Sequence, residues 1–118
     1  MGYESRVVIA RKFDSKDSHI LDILAELDLR DMSGDFANVF SNSYVTGYYD
    51  NVSGQTVVTD KYGKVVTYAP FRKVYKWCLD NANVVRYRRL DLLLAVLQSI
   101  ERGWHDEIGD IIVIHYGY

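Results

Sequence analysis

Two unbroken apolar runs, Val7-Val8-Ile9-Ala10 near one end and Ile111-Ile112-Val113-Ile114 near the other, constrain this chain more than any other feature. Each is short and rich in β-branched residues, and the first is followed by the polar group Asp14 to Ser18. A strand with one wet face alternates apolar and polar side chains. These two do not alternate, so both are expected to be buried on both faces, inside a sheet and not at its edge. With 118 residues the chain can close one core but not two, and a single domain over 1–118 is expected.

The segment between these runs reads as a mixture of helices and hairpins. Ile20, Leu21, Ile23, Leu24 and Leu27 recur at helical spacing behind Asp17 and Ser18, both suited to capping, which predicts an amphipathic helix ending near Leu29. Residues 33–43 mix Gly34, Asn38 and Asn42 with Phe36, Val39 and Phe40, leaving loop and short helical turn open. Tyr44 to Asp50 is rich in strand formers. Thr56 to Thr59 and Lys64 to Tyr68 flank Asp60-Lys61-Tyr62-Gly63, whose glycine supplies the positive φ of a tight hairpin.

Pro70 stands where a helix begins, with Phe71, Val74, Tyr75, Cys78, Leu79 and Ala82 at three-four spacing behind it. A third helix follows from Leu90, Leu93, Leu94, Leu97 and Ile100, its apolar face widened by Leu92 and Val96 and its end marked by Gly103. The order predicts an α+β fold, a mainly antiparallel sheet with helices on one face, ferredoxin-like with an added hairpin.

Composition narrows the function classes. Apolar residues make up 48% and charged residues 25%, ordinary globular usage that excludes a disordered or fibrous chain. The single cysteine, Cys78, cannot form an intramolecular disulfide, and with no secretion-signal pattern and no apolar run of about 20 residues a cytoplasmic protein without a membrane partner is expected. Asn51-Val52-Ser53 matches a glycosylation acceptor, which the missing signal leaves as a chance match.

The net charge of −2 opposes a general nucleic-acid coat, but the charges are sorted along the chain. From Asp14 to Asp35 seven acidic residues stand against Lys16 and Arg30, and from Phe71 to Arg89 six basic residues stand against Asp80 alone. Solvated faces that attract one another in the fold explain this pattern without any partner.

No catalytic, cofactor or metal signature is present, and no enzyme activity, cofactor or metal is assigned. Cys78 lies on an apolar helix face as a core thiol, and His115 shares a strand face with Ile111 and Val113 as a structural histidine. His105-Asp106-Glu107 is the densest cluster of ligand-type residues, but neighbours on one segment rarely converge on one ion. No glycine-rich phosphate loop occurs.

Binding is better represented. Arg86-Tyr87-Arg88-Arg89 offers three guanidinium groups and an aromatic ring for phosphate contact and base stacking, the basis of a small RNA- or DNA-binding module. Cations at a helix start also oppose the helix dipole, so they need partners. Ten tyrosines, Tyr48, Tyr49 and Tyr68 among them, supply the amphipathic contact area that interfaces favour, although tyrosine also suits half-buried strands.

Met1-Gly2-Tyr3-Glu4-Ser5-Arg6, Tyr87-Arg88-Arg89 and Ile112-Val113-Ile114-His115-Tyr116-Gly117-Tyr118 together resemble small accessory proteins of tailed phages and prophages. The likeness covers both ends and leaves the middle unsupported. It implies action by stoichiometric binding to a host protein, including inhibition of a host defence component, in the host cytoplasm. The expected contacts are Tyr48, Tyr49, Tyr68, Arg86, Tyr87, Arg88 and Arg89.

Overall fold

The computed structural model describes residues 5–12, 21–30, 34–40, 44–45, 47–50, 53–60, 63–82 and 88–117. Strands β1 (Ser5–Lys12) and β7 (Ile111–Gly117), the two apolar runs, pair antiparallel with Val8 opposite Ile114 and Ile9 opposite Val113. They lie inside a five-stranded sheet in which β2 (Leu21–Arg30) flanks β1, and β6 (Thr67–Pro70) then β3 (Tyr44–Val45) flank β7. Every pairing in it is antiparallel. Burial on both faces explains the lack of alternation: Val7, Val8, Ile9 and Ala10 are all fully buried, as are Val113 and Ile114.

The two faces are covered differently. Val7, Ile9, Ile111 and Val113 meet the helices α1 (Gly34–Asn38), α2 (Phe71–Asn81) and α3 (Arg88–Gly103) through Phe36, Phe71, Val74, Cys78, Leu90, Leu93 and Leu97. On the opposite face Val8, Ala10, Ile112 and Ile114 pack with Val66 and with Tyr48 of β4 (Tyr48–Asp50), which pairs with β5 (Gln55–Val57) as a separate two-stranded ribbon. The helices thus lie on one face of an α+β sheet, as expected, and the ribbon closes the other.

Over residues 21–30 the helix expected to end near Leu29 is a strand; Ile20 lies outside the described residues. Leu21 and Ile23, and beyond a bulge Ala25 and Leu27, also fit a strand period of two, and pairing along β1 decides the outcome. Ala25 and Leu27 pair with Ile9 and Val7 on the helix-covered face, while Leu21 and Ile23 join the opposite core. Bulges leave Leu24 and Leu29 without partners in the register, so Leu24 joins its neighbour Ala25 against the helix-side core and Leu29 is buried. Helix-favouring leucine, alanine and glutamate yield here to pairing with a central strand that has an open edge. With strand in place of the first crossover helix and no parallel neighbours among the described residues, the finer ferredoxin-like comparison finds no support in this topology.

The remaining elements follow their local signals. At the expected hairpin Gly63 takes φ +78°, the Asp60 amide donates to the Lys64 carbonyl at 2.8 Å and Thr59 bridges Val65, while Lys61 and Tyr62 lie outside the described residues. Pro70 ends β6 and caps α2 with φ −59° and ψ 146°, the extended geometry that precedes a first helical turn. The stretch 44–50 divides between two sheets, β3 pairing with β6 and β4 with β5. Residues 34–38, left open by the sequence, form the helix α1. Leu79 and Leu92, assigned to apolar helix faces, are exposed.

Candidate binding surface

The tyrosines chosen as contacts divide by depth. Tyr48 is a core residue, 4% exposed among Val8, Ile112 and Ile114, because the ribbon turns its ring inward to cover the sheet. Burial, and next the Glu26 carboxylate, raise its phenol above the ordinary value. It is therefore corrected from a contact residue to part of the core. Tyr49 follows it in β4, opposite Thr56. Tyr68 is half-buried in β6, and its hydroxyl accepts a hydrogen bond from Lys12 at 3.1 Å.

Of the basic cluster, Arg86 and Tyr87 lie outside the described residues. Arg88 and Arg89 are exposed at the start of α3, and Arg89 donates through Nη1 to the Asp28 carbonyl of β2. This contact ties the basic and acidic segments together through backbone. Among the described residues the ion pairs run elsewhere: Arg11 with Asp22 and Glu107, Arg30 with Asp28, and Arg72 with Glu101. None of these four pairs joins an acidic residue of the first cluster to a basic residue of the second.

The interior titratable groups are structural. Cys78 is fully buried, which pushes its thiol up to about 12. His115 is 7% exposed, stacked on Phe40 with centroids 4.8 Å apart, and burial lowers its imidazole to about 4 against a smaller opposing effect of Asp60. Such a group is neutral at physiological pH and enclosed by aromatic rings, a poor position for proton transfer to a solvent-borne substrate. No group of three metal-ligating side chains converges among the described residues. No helix among them is long and apolar enough to cross a membrane.

The surface feature that the sequence did not single out is an open groove of about 490 Å³ between the end of α1 and the outer face of α2. Lys73, Lys76, Trp77, Asp80 and Asn81 form its wall and Asn38 and Val39 face them. The helical period explains the wall: residues 73, 76, 77, 80 and 81 share one stripe of α2, while Phe71, Val74 and Cys78 take the opposite stripe into the core. Trp77 is anchored by an edge-to-face contact with Phe36, centroids 5.3 Å apart, and Asn81 Nδ2 donates to the Trp77 carbonyl at 2.8 Å. Lys73 and Lys76 are exposed and form no ion pair with a described residue. The signal available in the sequence was three cations, Arg72, Lys73 and Lys76, early in a helix with Asp80 late in it.

No protein-family model, curated protein or solved structure matches this chain.

Proposed function

We propose that this chain is a stoichiometric protein-binding module, an accessory protein of the phage type that its ends resemble, acting by occupying a host protein. Inhibition of a host defence component is the mode of action this resemblance implies. The observation that carries the reading is the groove along α2, which combines an indole and a valine with two lysines that form no ion pair with a described residue. A partly apolar recess with a polar rim is the composition of an interface centre, and tryptophan is among the residues that most often dominate binding energy. Stoichiometric blockade requires only such a surface on a rigid support, here a helix packed on the sheet through Phe71, Val74 and Cys78.

The test is a tagged pull-down from nuclease-treated lysate of the native host, with the Lys73→Glu, Lys76→Glu double variant alongside. Recovery of one host protein in equimolar amount by the unmodified chain, with a marked loss for the variant, is the expected result. Absence of any equimolar partner would remove the proposal.

The alternative, a small RNA- or DNA-binding module, draws on exposed Arg88 at the start of α3. It predicts nucleic acid in the eluate when nuclease is omitted, with retention falling steeply as salt rises and lost on replacing Arg86, Arg88 and Arg89 by alanine.

A further inference from the structure

The charges on the groove run against the helix that carries them. The first turn of α2 contains no acidic residue and the last contains no basic one. Instead Arg72 and Lys73 lie at the positive end of the peptide dipole and Asp80 at the negative end, each an arrangement that the dipole disfavours. Arg72 has Glu101 at 3.8 Å as compensation, whereas Lys73 and Lys76 have no carboxylate within ion-pair distance among the described residues. They stand one turn apart on the same stripe, beside the apolar patch formed by Trp77 and Val39, with Asp80 one further turn along.

We propose that this groove binds an acidic segment of a partner protein, with one apolar side chain seated on Trp77 and Val39 and carboxylates directed to Lys73 and Lys76. The inference rests on the protein-binding reading and names the chemistry of its partner. Asp80 sets the direction: a peptide presents carboxylates at the lysine end and a backbone N–H or cation at the Asp80 end, and the Asn38 and Asn81 amides line the same groove as hydrogen-bonding groups. A nucleic-acid strand carries one negative charge per nucleotide along its whole length, and Asp80 within the same groove repels it. The volume lies inside the roughly 300–1,000 Å³ range of specific pockets and accommodates a large side chain with its flanking backbone.

The test is a heteronuclear NMR titration of the full chain with a ten-residue synthetic peptide that carries aspartates and glutamates on one side of a leucine-phenylalanine pair and uncharged residues on the other. Two controls accompany it, the same peptide with lysines replacing the acidic residues and a ten-nucleotide oligothymidine. Saturable shifts at the amides of Val39, Lys73, Lys76 and Trp77 are expected with the acidic peptide alone. The Lys73→Glu, Lys76→Glu variant, which otherwise keeps the dispersed spectrum of the folded chain, is expected to bind it at least tenfold more weakly. No saturable shift at millimolar peptide, equal binding by the variant, or equal response to the lysine peptide would overturn the proposal. Shifts of these amides by oligothymidine would assign the groove to nucleic acid. If the lysate partner is recovered but binds the charge-reversed variant undiminished, the groove assignment fails while the protein-binding reading stands; with no partner recovered, that reading fails by itself.

Discussion

His115 Nε2 and the Ser5 hydroxyl lie 3.0 Å apart across the pairing of β7 with β1, a buried polar contact at the end of an otherwise apolar layer. Phe40 stacks on the imidazole and Phe36 meets it edge-on, with centroids 5.9 Å apart. Protonation would place a charge in a site largely cut off from water, so the neutral form is favoured by the fold.

The pH dependence follows from that preference. Burial lowers the folded value of His115 from 6.5 to about 4, so between these limits the unfolded chain binds more protons. The stabilisation is fully present above about pH 6.5 and is lost as the pH falls towards 4, by roughly 3 kcal/mol in all. Urea unfolding midpoints at pH 7 and pH 4.5 check this, and His115→Gln is expected to flatten that part of the pH dependence. An unchanged slope would show that the imidazole is not held neutral.

Cys78 is expected to be inert in the folded chain. Its thiol is fully buried and pushed up to about 12, leaving almost no thiolate at neutral pH. A chromogenic disulfide reagent should label it at least about a thousandfold more slowly in buffer than in denaturant, because reaction requires opening of the α2 core. Comparable rates would refute its placement.

The strand assignment of 21–30 makes a contrasting pair of predictions. Leu29, 2% exposed beside the helix-side core, should cost about 2–4 kcal/mol on replacement by alanine. Glu26→Gln, on an exposed position of the same strand, should change stability by no more than about 0.5 kcal/mol. Denaturant unfolding of the two variants measures both, and similar costs would contradict the arrangement.

Arg11 joins three parts of the fold. Its guanidinium reaches Glu107, in the 3₁₀ turn His105–Asp110, at 2.9 Å and Asp22 of β2 at 3.3 Å, in a partly exposed setting. Arg11→Met, which retains much of the apolar stem, should cost about 1 kcal/mol at low salt and less at 1 M salt, where screening already weakens the pairs. A salt-independent loss would point to packing as the cause.

Much of the scaffold was legible because it depends on local chemistry. Val7 to Ala10 and Ile111 to Ile114 declare central strands, Gly63 supplies the turn, and Pro70 with the spacing of Phe71, Val74 and Cys78 defines α2 and its buried stripe. The interior roles of Cys78 and His115 follow from the same periodicities. These signals require no knowledge of distant neighbours.

The misread elements are those for which local chemistry offers two answers. Residues 21–30 fit both a helical and a strand period, and β1, buried on both faces, resolves the choice by pairing its second edge with them. Tyr48 fits an interface as well as a core until the β4–β5 ribbon folds over the sheet. The groove likewise exists only where Asn38 and Val39 meet the outer stripe of α2. The sequence by itself determined the central strands, the turn and the helix stripes through steric and hydrophobic periodicity; tertiary structure decided edge-strand identity, tyrosine depth and the groove, because each depends on surfaces brought together from distant parts of the chain.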